Sequence, residues 1–143
     1  MFRAAVAVVG FAAAVAVAAD PKEELKALEG VWVLDAATLA GRDHLDDFQG
    51  FKLTITGEKY TTDLGPNSDH GTLTIDPTKS PKTIDITTRK DGPFKGRTLP
   101  GIYQVKDGKL IVCCDSEAKA RPTAFEAKEK TTVMLFTLKR EKK

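Results

Sequence analysis

The sequence predicts an all-β protein, an eight-stranded antiparallel up-and-down barrel with one short N-terminal helix. Three observations carry this expectation. After Gly30 the apolar residues recur at every second position, the period of a half-buried strand. The connections between these runs are short and rich in Gly, Pro, Asn and Asp, as tight turns require. No interior stretch keeps helical periodicity long enough for the crossover that a parallel sheet needs. Closure removes a sheet's exposed edges and so favours a barrel. A two-layer sandwich is the other architecture such strands can build.

The chain has 143 residues, enough for one domain. Residues 1–19 read as a secretory signal. Arg3 supplies the positive start, Ala4 to Val17 form an apolar run, and small residues precede Asp20. The run is short for a membrane anchor. Cleavage after Ala18 or Ala19 would leave residues 20–143 as a single exported domain, periplasmic or extracellular, with no stable membrane insertion. With 22 Lys and Arg against 20 Asp and Glu, nothing in the charge calls for nucleic acid as a partner. Two cysteines exclude a disulfide-rich scaffold.

Asp20-Pro21-Lys22-Glu23 reads as a helix start: Asp20 caps, Pro21 suits the first helical position, and Glu23 reaches back. Leu25 and Leu28 share a face, and Gly30 ends the helix. The strands follow in order. Val31–Leu34 is the first. Phe51, Leu53 and Ile55 alternate with polar residues in the second. Lys59–Leu64 is the third, with Tyr60 and Leu64 on one face. Leu73 and Ile75 mark the fourth, Ile84 and Ile86 the fifth. Ile102–Val105 runs into Asp107-Gly108, a strong hairpin signal, and Leu110–Cys114 returns from it. Thr132–Arg140 is the eighth.

Residues 35–50 form the longest early connection, a candidate cover for the barrel mouth. Within it, Arg42-Asp43-His44-Leu45-Asp46-Asp47 holds nitrogen and oxygen donors, but nothing in the spacing enforces a metal geometry, and no metal is expected. Ser68-Asp69-His70 supplies serine-hydrolase residue types, yet a triad needs side chains converging from separate positions. Phosphate loops and dinucleotide fingerprints are absent, so no cofactor and no enzymatic reaction are expected. Adjacent Cys113 and Cys114 point to opposite strand faces and lie too close along the chain for an unstrained disulfide. A thiol exposed outside the cytoplasm would be able to pair two chains. Asp85 faces solvent if Ile84 and Ile86 face inward, and Arg121, in the loop between the last two strands, would either hold that loop or contact a partner.

Trp32 stands on the first strand and Arg140 at the end of the last. In a closed barrel these strands are neighbours, which would lay Arg140 on the Trp32 ring. Gly30, Trp32 and Arg140 are therefore the expected closure residues. Further along stand, in order, Leu28-Glu29-Gly30-Val31-Trp32, Ser80-Pro81-Lys82-Thr83-Ile84-Asp85, Gly101-Ile102-Tyr103, Leu110 with Cys113, Arg121-Pro122-Thr123 with Phe125, and Lys139-Arg140-Glu141. Gly-x-Trp on a first strand with a late basic residue resembles the lipocalin (calycin) signature. The whole series resembles an uncharacterised lipocalin-like domain family of planctomycete bacteria and spans essentially all of residues 20–143. The resemblance implies a small β-barrel, often exported, and no established reaction or ligand. Cys114 departs from it, standing where an ordinary strand residue is expected.

Two functions from different classes follow. One is binding of a small apolar or amphipathic ligand inside the barrel, by Trp32, Phe51, Leu53, Tyr60, Ile102 and Phe136. The other is a non-enzymatic, structural or interaction module of the cell envelope, with a solid core and an envelope protein or polymer as partner. The first predicts a cavity, the second an exposed patch instead.

Overall fold

A computed structural model describes residues 20–142; the expected signal sequence, residues 1–19, lies outside the described residues. Helix α1 (Pro21–Leu28) begins where the cap predicts, with the Lys22 N–H donating to the Asp20 carboxylate. The strands are β1 (Gly30–Leu39), β2 (Arg42–Asp43), β3 (Lys52–Thr56), β4 (Lys59–Asp63), β5 (Asp69–Asp76), β6 (Lys82–Thr88), β7 (Thr98–Lys106), β8 (Lys109–Asp115) and β9 (Val133–Arg140). Apart from the two-residue β2, they form a closed antiparallel barrel of eight strands. Consecutive strands pair side by side from β3 to β9, and β1 lies between β3 and β9.

The turns show why the order is a meander. Asp107 and Gly108 both take positive φ, 54° and 75°, the conformation of a two-residue hairpin whose twist matches its strands. Lys106 therefore faces Lys109, and Val105 faces Leu110. The register then alternates faces: Tyr60 and Thr62 on β4, Leu73 and Ile75 on β5, Ile84 and Ile86 on β6, and Leu110, Val112 and Cys114 on β8 point inward.

The segment expected as one loop over residues 35–50 is more ordered than the sequence suggests. Strand β1 runs on to Leu39 through a bulge at Asp35, where Leu34 faces Leu138 and Ala36 faces Thr137. Asp35, the extra residue, takes an ion pair from Lys109 at 2.7 Å. After β2, a single 3-10 turn (Leu45–Phe48) completes the connection.

Ile102 was expected inside, and the register puts it outside. It pairs with Cys113, while its neighbour Tyr103 joins the core. Both faces of this part of β7 are buried, because residues 116–132 fold over the outside of the barrel. Cys113 Sγ reaches the carbonyls of Ala124 and Glu126 there, at 3.6 and 3.7 Å. Arg121 fastens the same segment, donating to the carbonyls of Ile84 and Gly101 and to the outward Asp85 carboxylate at 2.7 Å. A strand buried on both faces has no alternation to read.

Candidate functional site: a barrel cavity with one closed end

Strand polarity gives the barrel two unlike ends. Gly30, Thr56, Lys59, Asp76, Lys82, Lys109 and Arg140 mark one end, and α1 lies across it. Leu25 and Leu28 turn inward from the helix into the main core, with Trp32, Ile55, Ile75, Tyr103 and Leu138.

Three side-chain donors fasten this plug. Trp32 Nε1 donates to the Leu28 carbonyl at 2.9 Å. The Arg140 guanidinium donates to the carbonyls of Ala27 and Glu29, each at 2.7 Å. These carbonyls end a helix, where oxygens have no partner within the helix itself. Gly30, at φ 127°, leaves the space: a Cβ there would lie 2.8 Å from Arg140 Nη1. Trp32 is 1% exposed and belongs to this plug. It does not line the cavity, so its expected role in ligand contact is corrected, because the helix seals it off.

Above the plug lies an apolar cavity of about 530 Å³. Leu28 forms part of its floor. Phe51, Leu53, Tyr60 and Phe136 line it, as expected of interior residues, together with Leu73, Ile86, Val112 and Cys114. Toward the other end, Phe51 stacks on Phe136 at 6.2 Å between centroids, and Phe48 from the 3-10 turn meets Phe136 edge-on at 5.6 Å. Pro93 and Phe94 lean in from the β6–β7 loop. The 35–50 connection thus reaches the cavity through Asp47 and Phe48.

The polar residues of the wall gather at this second end: Asp47, Thr62, Asn67, Asp69 and Thr88. Asp69, weighed in the sequence only as part of Ser68-Asp69-His70, is the cavity residue whose inward position the sequence reading missed. It is 5% exposed, and it is inward because it is in phase with Leu73 and Ile75 on β5. Its Oδ1 lies 3.5 Å from Arg89 Nε, and neither atom has a hydrogen-bond partner. Its Oδ2 takes a long contact, 3.5 Å, from the Tyr60 hydroxyl. Burial, then the Asp69 charge, raises the Tyr60 pKa, so the phenol stays a neutral donor. The neighbouring Ser68 hydroxyl donates to the Gly65 carbonyl and His70 is exposed, so these three residues make no triad.

Both thiols are buried and unbonded, Cys114 in the cavity wall and Cys113 under the 116–132 segment. The exposed thiol that would pair two chains is therefore not present at either position. His44 Nδ1 is engaged by Asp47 Oδ2 at 2.7 Å, and among the described residues no group of three His, Cys, Asp or Glu side chains is placed to hold a metal. No described helix is long and apolar enough to cross a membrane. Comparison with known proteins finds no matching family, no matching curated protein and no matching solved structure.

Proposed function

We propose that this chain is an exported, non-enzymatic binding protein that holds one small apolar or amphipathic molecule in its barrel. The observation that carries the reading is the cavity. Its volume of about 530 Å³ falls in the range of small-molecule sites. It is more than three times the roughly 150 Å³ of an apolar cavity that takes up benzene. Its wall is mostly aliphatic and aromatic with a few polar groups at one end, the composition of a site that binds by burial and orients by hydrogen bonds. Burial of ligand surface would contribute roughly 25 cal/mol per Å² before the costs of association. A closed eight-stranded barrel is of a size that can hold one small ligand.

The envelope-module reading predicts a solid core and an exposed apolar or charged patch, and a cavity of this size is not a solid core. Among the described residues the one exposed large hydrophobic side chain is Val105, beside the Asp107-Gly108 turn, and a single residue makes no patch. Native mass spectrometry on protein purified from its own cell envelope tests the proposal. A reproducible adduct that disappears on denaturation is expected. A bare chain that also fails to take up a neutral apolar dye would overturn the binding reading.

A further inference from the structure

The geometry points to a head-group preference: the cavity takes amphiphiles whose polar end donates hydrogen bonds, an alcohol or a protonated amine, and disfavours carboxylates. This rests on the ligand-binding reading and deepens it. The argument starts from direction. The closed end of the barrel is apolar and the second end carries the polar wall, so an amphiphile lies with its tail on Leu28 and its head near Asp69. The head then meets a buried carboxylate.

That carboxylate is short of donors. A carboxylate accepts from about four sites, and Asp69 has one side-chain hydrogen bond, the 3.5 Å contact from Tyr60. Oδ1 is closed in between Arg89 Nε and Gly92, where a Cβ would lie 2.9 Å from it. Oδ2 is thus the oxygen left on the cavity side. A hydroxyl or ammonium placed there supplies the missing donor, and a desolvated acceptor gains more from it than one in water.

The positive partner is out of reach. Arg89 is not part of the cavity wall; its Nε lies 3.5 Å from Asp69 Oδ1 and 3.7 Å from Asp91 Oδ1 without a hydrogen bond, and its Nη2 donates to the Ser68 carbonyl. Of the other polar groups at this end, Asp47 is a second carboxylate, held by His44 Nδ1 at 2.7 Å, and the rest are neutral, two of them engaged: Thr62 Oγ1 donates to the Asp69 carbonyl and Thr88 Oγ1 to the Arg97 carbonyl. A carboxylate head would face Asp69 across a low-dielectric space with no cation on the cavity wall to answer it, since Arg89 stands behind Asp69 on its Oδ1 side.

Displacement of a neutral fluorescent apolar probe by decanol, decylammonium and decanoate at neutral pH tests this, since the three share one tail. The expected result is that the alcohol and the ammonium displace the probe at concentrations at least about tenfold below decanoate. Asp69→Asn, folded by circular dichroism, should bring decanoate to within about threefold of decanol. Decanoate equal to or better than decanol in the unaltered protein overturns the head-group inference and leaves the cavity reading standing, with no variant needed. A protein that takes up neither the probe nor any of the three amphiphiles overturns both.

Discussion

The guanidinium carbon of Arg140 lies 4.3 Å from the centroid of the Trp32 ring, and the two residues face each other directly across the β1–β9 seam. One side chain thus does three things. It covers the indole, binds two carbonyls at the end of α1, and joins the last strand to the first. Arg140→Ala is expected to cost about 1–2 kcal/mol, since the guanidinium is partly solvated. Urea unfolding followed by Trp32 emission checks this, and the folded-state emission should also shift. Arg140→Lys should recover less than half of the loss, because an ammonium lacks the planar fork that serves both carbonyls.

Gly30→Ala should be worse than its size suggests. The added Cβ meets Arg140 Nη1 at 2.8 Å on a backbone at φ 127°. A destabilisation of about 2–3 kcal/mol is expected from strain and the displaced guanidinium together. If the double variant with Arg140→Ala loses the full sum of the single losses, the two residues are not coupled.

The interior can be filled. Ile86→Trp places a larger side chain into the open cavity rather than into a packed wall. Uptake of a neutral apolar dye should fall by at least about tenfold, while stability changes by less than about 1 kcal/mol. Loss of folding in place of loss of uptake would show that the space at Ile86 is smaller than described.

Asp115 makes the 116–132 segment sensitive to acid. Burial pushes its carboxyl up, but donors outweigh this: the Thr132 hydroxyl and the backbone N–H groups of Glu117, Ala120 and Lys119 hold its pKa below the ordinary 3.8. A carboxyl that is lower when folded contributes stability above its unfolded value. That contribution is lost as pH falls from about 3.8 through the folded value. Stability should therefore be level from neutral pH to about pH 5 and decline below about pH 4. Asp115→Asn should lower stability at neutral pH and flatten the acid decline, as read by urea midpoints across the range.

The thiols should be quiet. Burial pushes Cys114 up to about 12 and raises Cys113 as well. Only the thiolate reacts, so iodoacetamide should modify the native protein at pH 8 about a hundredfold more slowly than the urea-unfolded chain. Rapid labelling of one cysteine without unfolding would mean that its cover opens.

The barrel was legible in the sequence wherever a strand has one wet face. Leu53 and Ile55 on β3, and Leu73 and Ile75 on β5, alternate cleanly, and the Asp107-Gly108 turn is stated in two letters. The seam was legible because a single Trp and a late Arg stand on the strands that closure must join. Phase failed at Ile102 because the outer face there is dry, beneath a segment with no regular structure. The polar end failed for a related reason. The fourth strand was read from Leu73 and Ile75 alone, and counting back from Leu73 in steps of two is what places Asp69 inside. Arg89 and Phe94 reach this end through tertiary packing that no local pattern encodes.

The fastening of α1 also sets an order of events during synthesis. A helix of eight residues has little stability alone. The carbonyls of Ala27 and Glu29 wait for a side chain more than a hundred positions later. The first element of the described residues is therefore fastened only when the last strand is in place. Sequential hairpins need only their own two strands, but closure of the barrel and the fastening of α1 wait for the strand bearing Arg140. Until then the barrel stays open along its β1–β9 seam.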